Sequence, residues 1–558
     1  MKEIVIDLLA RELKGKLKRE DIERLVEIPP NDEMGDYAFP CFALAKIEKK
    51  SPLLIAEELK ERLKLGKEIS NTSAVAGYVN FFVDKKLLAE GVLKNAVKSD
   101  YGSRKVKKRV MVEFPSPNTN KPLHLGHLRN MAIGECVSRI LELAGNKVVR
   151  ANLNNDRGVH ICKSMVAYEK FGKGKSPEKI KSDHFVGGYY VLFNKKAKEE
   201  ESWEGEAQDC LQKWEAGDKK TLALWKKMNK WALDGFEQTY KKFGIKHDVV
   251  YNESEIYAKG KEIITTGLEK GVFDKKKDGA IFIDLEKEKL GEKIVLRADG
   301  TSVYITQDLY LAKKKADDFK LDGSIYVVGN EQDYHFKVLF AILRKLGFKF
   351  ADNLRHLSYG MVELPEGKMK SREGTVVDAD DLIEEVQELA RRELKKRYNL
   401  SKKEIEGRSL KIALAAIKYT LLKIDYQKNM VFNPKEAISF EGDTGPYLLY
   451  SYARATSILR KIKGKKGVKL VDLKKQEVAL LKKIGVFPEV VEKAYEGFAP
   501  NLIANYCYEL ASLFNEFYHA CPVIGSEEEG FRLKLVGVFR DVMKTSLGLL
   551  GIDVVEEM

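Results

Sequence analysis

After residue 109 the chain alternates short apolar segments with longer helical stretches, and this alternation limits the folds open to it. The length and apolar content of the short segments are typical of strands. Strands that alternate with helices build a parallel sheet covered by helices on both faces. The pattern therefore predicts an α/β domain. Its candidate strands are Val110–Phe114, Lys147–Asn152, Ala280–Leu285, Ser302–Ile305 and Ile325–Val328.

The length of 558 residues corresponds to about three or four domains, at about 150 residues each. Residues 1–95 are predicted to form an N-terminal α+β domain that ends on the aromatic segment Gly77–Val83. Residues 96–400 are assigned to the α/β domain, with a polar, mainly helical insertion at about 165–290. Residues 401–558 repeat apolar side chains at spacings of three and four, which predicts an all-helical C-terminal domain.

Basic residues outnumber acidic ones, with 98 Lys and Arg against 84 Asp and Glu, so the net charge is +14 at pH 7. This excess favours a polyanionic partner such as nucleic acid, a nucleotide or an anionic surface. Many proteins carry a similar excess for solubility alone. The charge by itself therefore leaves the partner open.

The N-terminus and the cysteines both predict a cytoplasmic protein. Charged residues interrupt the first apolar cluster, Ile4–Leu13, which suits an amphipathic helix and not a signal peptide. No apolar run approaches the ~18 residues that a membrane span needs. The six cysteines are scattered without a CxxC pair, which indicates buried thiols and predicts neither disulfides nor a structural zinc site.

The most informative segment is Val112–Asn130, in which a strand leads into a turn with two prolines and a helix starts at Gly126 and His127. The start of a helix offers free N–H groups and a positive dipole end, which favours phosphate. Gly126 has no Cβ, so a flat group could lie against the backbone there. His124 and His127 can donate hydrogen bonds to a phosphate that gains charge. Nucleotidylyltransferases use a similar spacing, so the segment predicts nucleotide chemistry without naming an enzyme.

A second phosphate-type signal lies at Gly367–Gly374, where Lys368 and Lys370 stand between flanking glycines. A loop of this composition suits closure over a triphosphate. By itself it could equally be a solvated basic turn. Two such signals in one α/β domain favour the interpretation as a triphosphate site.

The two segments resemble the HIGH and KMSKS signatures of class I aminoacyl-tRNA synthetases, and their surroundings are similar to the arginyl-tRNA synthetase family. The family string E-x-x-S-x-N-x-x-K-P-x-H-x-G-H-x-R matches Glu113, Ser116, Asn118, Lys121, Pro122, His124, Gly126, His127 and Arg129. The family strings D-G-T-S-x-Y-x-T-x-D and G-D-T-G-P-Y match 299–308 and 442–447. Because the strings occur in family order and span most of the chain, the resemblance is specific.

The resemblance implies a multidomain α/β protein with a Rossmann-type catalytic domain, an N-terminal domain that docks on the corner of tRNA, and a helical anticodon-binding domain. It implies ATP with Mg²⁺, L-arginine and tRNA-Arg as partners, no membrane, and a monomer. The residues it places in catalysis are Lys121, His124, His127, Lys368 and Lys370. Those it places around ATP are His124, Gly126, His127, Gly329, Met361, Val362, Lys368 and Lys370.

For arginine, the resemblance puts carboxylates and a hydroxyl at the guanidinium and polar side chains at the α-amino and α-carboxylate groups. The residues concerned are Glu113, Tyr304 and Asp308 at the first end and Ser116, Asn118 and Gln332 at the second. A planar guanidinium with five donors needs such acceptors. Tyr304 and Asp308 are expected at the end of a strand.

For tRNA, aromatic rings and arginine planes suit splayed single-stranded bases. The candidates are Tyr78, Phe81, Tyr447, Arg454 and Tyr508. Several tyrosines of the C-terminal region must be core. Phe81 and Phe82 are consecutive on a predicted strand, so at least one of them should be buried.

One departure from the family pattern concerns the loop, where Ser371 holds the position of the usual second lysine. Family members without that lysine often carry one just before HIGH, and Lys121 fits, so part of the triphosphate charge is assigned to Lys121. Three alternatives stay open. They are a class I ligase for another amino acid, an RNA-binding relative without catalysis, and a small-molecule nucleotidylyltransferase.

Overall fold

The structure is a computed structural model that describes residues 1–257, 259–365, 377–462, 467–468, 470 and 472–557. It divides into two compact units. The first comprises Met1–Tyr101, Ile458–Phe487 and Ser512–Val542, and the second Gly102–Ser457, Pro488–Ala511 and Met543–Met558. The predicted boundaries at 95/96 and 400/401 stay predictions.

The N-terminal residues form an α+β arrangement around a small antiparallel sheet of order β1-β3-β2. The aromatic segment is its central strand, and Asp84 then caps the next helix by accepting from the N–H of Leu87. Its elements are α1 (Lys2–Glu12), α2 (Arg19–Leu25), β1 (Tyr37–Pro40), α3 (Phe42–Glu48), α4 (Pro52–Arg62), β2 (Ile69–Val75), β3 (Tyr78–Val83) and α5 (Lys85–Asn95).

The next part of the chain alternates strands and helices. Its elements up to the helical stretch are β4 (Arg109–Glu113), α6 (Leu125–Leu143), β5 (Lys147–Asn154), α7 (Val159–Phe171), α8 (Ser182–Glu199), α9 (Ser202–Glu215) and α10 (Lys219–Phe243). They are followed by β6 (Val249–Asn252), α11 (Glu253–Ile256), α12 (Lys261–Glu269), β7 (Asp274–Lys275), β8 (Ile281–Leu285), β9 (Gly291–Leu296), α13 (Tyr304–Phe319), β10 (Gly323–Gly329), α14 (Asp333–Lys345), β11 (Leu354–Tyr359) and β12 (Val362–Glu363).

The described C-terminal part is mainly helical. It contains α15 (Ala379–Arg397), α16 (Lys402–Leu422), β13 (Met430–Val431), α17 (Pro434–Ala437), α18 (Gly445–Arg460), α19 (Lys475–Gly485), α20 (Phe487–Gly497), α21 (Pro500–Ala520) and α22 (Glu529–Leu549). Ser401 begins α16 with a capping box, because its hydroxyl accepts from the N–H of Glu404, whose carboxylate accepts from the N–H of Ser401. Among the described helices, none combines the length and the apolar character that a membrane span requires.

Five strands of the described chain form one parallel sheet of order β11-β10-β4-β5-β6, as the alternation predicts. Its strands β4 and β10 are largely buried, and helix α6 is buried along most of its length. Burial on two faces explains why these strands are short apolar runs and not alternating ones.

Two of the predicted strands are wrong in place or type. Ile281–Leu285 is a strand, but it belongs to a separate antiparallel sheet of order β7-β8-β9. Ser302–Ile305 is not a strand, because helix α13 begins at Tyr304. The hydroxyl of Thr306 accepts from the N–H of Val303 at 3.1 Å and so caps the helix start.

The helical stretch that interrupts the sheet runs from α7 to α10. Its aromatic side chains pack edge to face around Tyr168, Phe185 and Trp231. Strand β6 returns to the parallel sheet at Val249–Asn252, so the predicted insertion at about 165–290 includes one strand of that sheet.

Candidate active site

The order of the parallel sheet places a crevice beside β4. The chain passes from β4 to β5 on one side, whereas β10 pairs with β4 on the other side. In open parallel sheets, ligands bind outside the carboxyl ends of the strands at such a switch point. The HIGH segment follows β4, and Gly329–Gln332 follows β10, so both predicted regions lie at this edge.

The two histidines of the HIGH segment hold each other in a defined orientation. His124 caps α6, and its Nδ1 accepts from the N–H of Gly126 at 3.1 Å. Nδ1 of His127 accepts from the N–H of His124, also at 3.1 Å, and the ring centroids are 3.8 Å apart. Burial, together with the charge of Lys121, lowers the pKa of His124 to about 3. Burial, with smaller effects of His124 and Lys121, puts the pKa of His127 well below its ordinary value.

This pattern determines the tautomer of each histidine. A neutral imidazole carries one proton, and Nδ1 is an acceptor in both rings. Nε2 therefore carries the proton in His124 and in His127. The pair presents two neutral N–H donors, the type of group that stabilises charge developing on a phosphate.

Gly126 is needed for the geometry of His124 itself. A Cβ on Gly126 would lie 3.0 Å from Cε1 and 3.1 Å from Nδ1 of His124. The space that the sequence analysis left for a flat group is thus taken by the ring of His124, which packs against the backbone of Gly126.

Lys121 and His124 line a cavity of about 200 Å³. Gly187 and Gly188 of helix α8 form part of its wall. Burial lowers the pKa of Lys121. The cavity brings together two of the residues that are predicted to bind the triphosphate, Lys121 and His124.

Arg129 links the HIGH helix to the predicted ATP residue Met361. It is fully buried, and burial lowers its pKa to about 10. Its Nη1 donates to the carbonyls of Gly360 and Met361 at 2.6 and 2.8 Å, and its Nη2 donates to that of Lys428 at 2.7 Å. The side chain of Met361 is exposed, whereas its carbonyl accepts the hydrogen bond from Arg129 on helix α6. Val362 is buried and pairs with β13.

Lys368 and Lys370 lie in 366–376, outside the described residues. Immediately after that range, an antiparallel bridge joins His124 to Asp378. The chain that follows the predicted loop is therefore attached to the HIGH segment by backbone pairing.

A cluster of opposite charges surrounds Asp378. Nε2 of His184 lies 3.1 Å from Asp378 and 3.8 Å from Asp380, and these two carboxylates raise the pKa of His184 to about 10. The carboxylates of Asp183 and Asp380 lie close enough to His184 to suit a cation. However, Nζ of Lys181 is 2.8 Å from both of them, so an ammonium group already takes that position.

The residues predicted to bind the substrate arginine separate into two groups. Glu113, Ser116, Asp308 and Gln332 line one cavity of about 170 Å³ at the carboxyl ends of β4 and β10. Tyr304 and Asn118 are exposed and do not line it. Tyr304 stands one helical turn before Asp308 on α13, so the two share a helix face instead of a strand end.

Both carboxylates of this cavity have partners that the sequence analysis missed. Glu113 forms an ion pair with Lys315, and the two side chains are only 6% and 2% exposed. The carboxylate of Asp308 accepts a hydrogen bond from Nε2 of His335 at 2.6 Å. Lys315 lies on the same helix face as Asp308, and a seven-residue spacing on a predicted helix is the signal that could have found it.

Glu253 is a further carboxyl group that the sequence analysis missed. Burial raises its pKa to about 7, against the opposing charge of Arg157 and with smaller contributions from Asp156 and Asp308. Within the described part of the chain, no ion pair to its carboxyl group is found.

The predicted tRNA residues lie in the two units. Tyr78 is half-buried and packs edge to face on Phe42. Phe81 is fully buried in β3, so it is a core residue and the prediction that it contacts tRNA is wrong for this structure.

In the second unit, the rings of Tyr447 and Tyr508 are 6.0 Å apart. The guanidinium of Arg454 lies 4.7 Å from the ring of Tyr450. All three predicted residues here, Tyr447, Arg454 and Tyr508, are partly exposed.

The parallel sheet with its signature helix at the switch point, together with the helical C-terminal part, defines a class I aminoacyl-tRNA synthetase. The family model described as tRNA synthetases class I (R), catalytic domain, matches residues 89–434. Models of the arginyl tRNA synthetase N terminal domain and of the DALR anticodon binding domain match residues 3–83 and 448–558.

Relatives are similar over nearly the whole chain. An arginine–tRNA ligase of Treponema denticola is 48% identical, with 99% of this chain and 97% of the relative covered. One of Bacteroides thetaiotaomicron is 43% identical, with 98% of each covered. The solved arginyl-tRNA synthetase of Thermus thermophilus is 28% identical with a TM-score of 0.87, and 100% of both chains is covered. The chain belongs to the arginyl-tRNA synthetase family, which confirms the predicted family and fold class.

Proposed function

We propose that this protein is an arginine–tRNA ligase. It uses ATP to convert L-arginine into arginyl-adenylate and pyrophosphate, and then transfers the arginyl group to the 3′-terminal adenosine of tRNA-Arg. The observation that carries the proposal is 43–48% identity to arginine–tRNA ligases over nearly the full length of both chains. The class I catalytic domain supports the use of ATP.

In the activation step, a carboxylate oxygen of arginine attacks the α-phosphorus of ATP, and the bond from that phosphorus to pyrophosphate breaks. Negative charge grows on the leaving group. We assign its stabilisation to the Nε2–H groups of His124 and His127 and to the positive charge of Lys121, with Lys368 and Lys370 as further cations. The neutral state of both histidines and the cavity at Lys121 support these roles. Gly126, Gly329, Met361 and Val362 are proposed to surround the nucleotide.

We propose that Mg²⁺ enters this site bound to the phosphates of ATP and not to protein side chains. Mg²⁺ prefers oxygen ligands, whereas Lys121 and His124 offer nitrogen donors and the nearby carboxylate of Asp378 is already bonded to His184. The phosphate oxygens would hold the ion, which neutralises charge on the departing pyrophosphate. We propose no structural zinc.

For the amino acid, we propose that Glu113, Ser116, Asp308 and Gln332 form the binding cavity, with the guanidinium at Asp308. Tyr304 and Asn118 are proposed on the resemblance to the family alone. A site built from buried hydrogen-bonding groups can reject an analogue that lacks the matching donors by about 10⁴–10⁵. Discrimination of this size makes a hydrolytic editing domain unnecessary.

For tRNA, we propose that residues 1–95 dock on its corner through Tyr78, and that residues 401–558 bind the anticodon side through Tyr447, Arg454 and Tyr508. Residues 96–400 would form the catalytic domain. We also propose that the protein acts in the cytoplasm as a monomer.

Arginine-dependent exchange of pyrophosphate into ATP, measured with and without tRNA-Arg, tests this function. Exchange with arginine that exceeds exchange with lysine or glutamate is expected. Stronger exchange with lysine or glutamate would indicate another class I ligase, and no exchange under either condition would leave only an RNA-binding protein.

The site assignment has its own test. Asp308→Ala should raise the KM for arginine far more than the KM for ATP. Asp318→Ala is the matched control, because Asp318 is exposed on the same helix and pairs with Lys314. Equal changes in both KM values for Asp308→Ala would contradict the guanidinium role.

A further inference from the structure

The carboxylate of Asp308 is already hydrogen-bonded before any substrate is considered. Nε2 of His335 lies 2.6 Å from Oδ2 of Asp308. An ionised carboxylate only accepts hydrogen bonds, so Nε2 carries the proton and donates it. Oδ1 is the oxygen that His335 leaves for another donor.

The contact joins two helices near their N-terminal ends. Asp308 lies in the second turn of α13, and His335 lies in the first turn of α14, which follows the end of β10. Both residues line the arginine cavity and are about 30% exposed, so a ligand in the cavity reaches both.

The other charges of the cavity leave Asp308 as the carboxylate available to a cationic ligand, so its hydrogen bond to His335 affects where that ligand binds. The negative charge of Glu113 is balanced by the buried ammonium of Lys315. That ammonium also lies 4.9 Å from the ring centroid of Tyr326 and 5.7 Å from that of Tyr251, so aromatic side chains enclose it. Asp308 is therefore the cavity carboxylate that an incoming cation can match, and its orientation determines where the cation sits.

We propose that His335 is a positioning residue for guanidinium recognition, which holds Oδ2 of Asp308 and leaves Oδ1 to the substrate. The inference rests on the proposed function, because it takes arginine as the occupant of the cavity. In proteins generally, a supporting hydrogen bond from a neighbouring residue fixes the orientation of a side chain that contacts the ligand. Without the imidazole, Asp308 is free to rotate away or to be solvated, and arginine must order it on binding.

The proposal predicts a selective effect on arginine. A hydrogen bond to a charged group corresponds to about a 10- to 100-fold change in an equilibrium constant. His335→Leu should raise the KM for arginine by about this factor in pyrophosphate exchange. The KM for ATP and kcat at saturating arginine should stay close to those of the wild type. His335→Gln should restore most of the arginine affinity, since its amide nitrogen can donate from a similar position.

A matched control lies one residue away. Tyr334 is in the same helical turn, but its hydroxyl donates to the carbonyl of Leu290 and does not line the cavity. Tyr334→Phe removes one hydrogen bond from this turn and should leave the KM for arginine unchanged. A rise equal to that of His335→Leu would indicate a general disturbance of α14 and overturn the proposal.

A double-mutant cycle separates positioning from a merely structural role. In the Asp308→Asn background, His335→Leu should have little further effect on the KM for arginine. Effects of the two substitutions that multiply would overturn the proposal, and so would an unchanged or lowered KM in His335→Leu alone. If the leucine variant does not fold, His335→Ser takes its place in the cycle.

The wild-type enzyme distinguishes this proposal from the function on which it rests. Absence of arginine-dependent exchange in the wild type would reject the proposed function. Normal exchange in the wild type with an unaffected His335→Leu variant would reject the role of His335 only.

Discussion

Replacing Glu253 by glutamine should stabilise the protein much more at pH 8 than at pH 5. Glu253 is 9% exposed, and burial raises the pKa of its carboxyl group from 4.5 to about 7. Between these two values the unfolded chain has released the proton while the folded protein still holds it, so stability falls as pH rises. Above pH 7 the folded protein carries the full penalty of a buried carboxylate.

The size of the effect follows from this difference. At about 1.36 kcal/mol per pKa unit, the rise from 4.5 to about 7 corresponds to a loss of about 3 kcal/mol in the free energy of unfolding above pH 7. Glutamine keeps the shape of the protonated carboxyl group and does not ionise. The free energy of unfolding of Glu253→Gln should therefore exceed that of the wild type by an amount that grows from about 1 kcal/mol at pH 5 to about 3 kcal/mol at pH 8.

Urea denaturation at pH 5, 6, 7 and 8, followed by tryptophan fluorescence, measures this difference. All four tryptophans lie between residues 203 and 231, so the signal reports on the unit that contains Glu253. Glu255→Gln is the control, because Glu255 is exposed on the same short helix. A stabilisation that is the same at pH 5 and pH 8, or no stabilisation at pH 8, would refute the reasoning.

Three other predictions follow from contacts and charge. Gly187→Ala should destabilise the protein by about 1–3 kcal/mol, because its Cβ would lie 2.6 Å from Cδ of Pro122. Gly188→Ala meets no atom within 4 Å and should stabilise helix α8 by about 0.5–1 kcal/mol. The two denaturation midpoints should therefore shift in opposite directions, and a shift in the same direction would contradict one of the two predictions. Gly126→Ala should displace the His124 ring and slow pyrophosphate exchange by up to about 100-fold. The KM for arginine should stay unchanged, and a rise in that KM as large as the fall in rate would contradict a role confined to the phosphates. Raising the salt concentration should weaken tRNA binding steeply and arginine binding much less, as measured by filter binding and by the KM for arginine.

Elements with strong local signals were predictable from the sequence. The helix predicted to start at Gly126 and His127 is observed as Leu125–Leu143, and Gly145, with a φ of 93°, follows its end. Its periodic apolar face and its glycine stop are local properties of the chain. The predicted strands that lie at the centre of the sheet, in β4, β5 and β10, are also confirmed. In β4 and β10, burial of successive residues makes the strand a short apolar run.

The errors occurred where long-range contacts decide the structure. The missed strands β6 and β11 form the two edges of the parallel sheet, and most of their residues are only partly buried or exposed, so they lack a continuous buried apolar run. The segment Ser302–Ile305 has residues typical of a strand, but the side chain of Thr306 caps a helix there. Such competition between a local cap and β propensity is not visible in apolar patterning.

The sequence by itself determined the family and the kind of chemistry, because signature residues and their spacing create the helix start and the histidine pair locally. Only the tertiary structure decided which charges meet: Glu113 with Lys315, and Asp308 with His335. These partners come from different elements, and their pairing depends on which side chains the sheet and its helices bury together. The electrostatics of the arginine cavity therefore belong to the fold and not to any single segment of the chain.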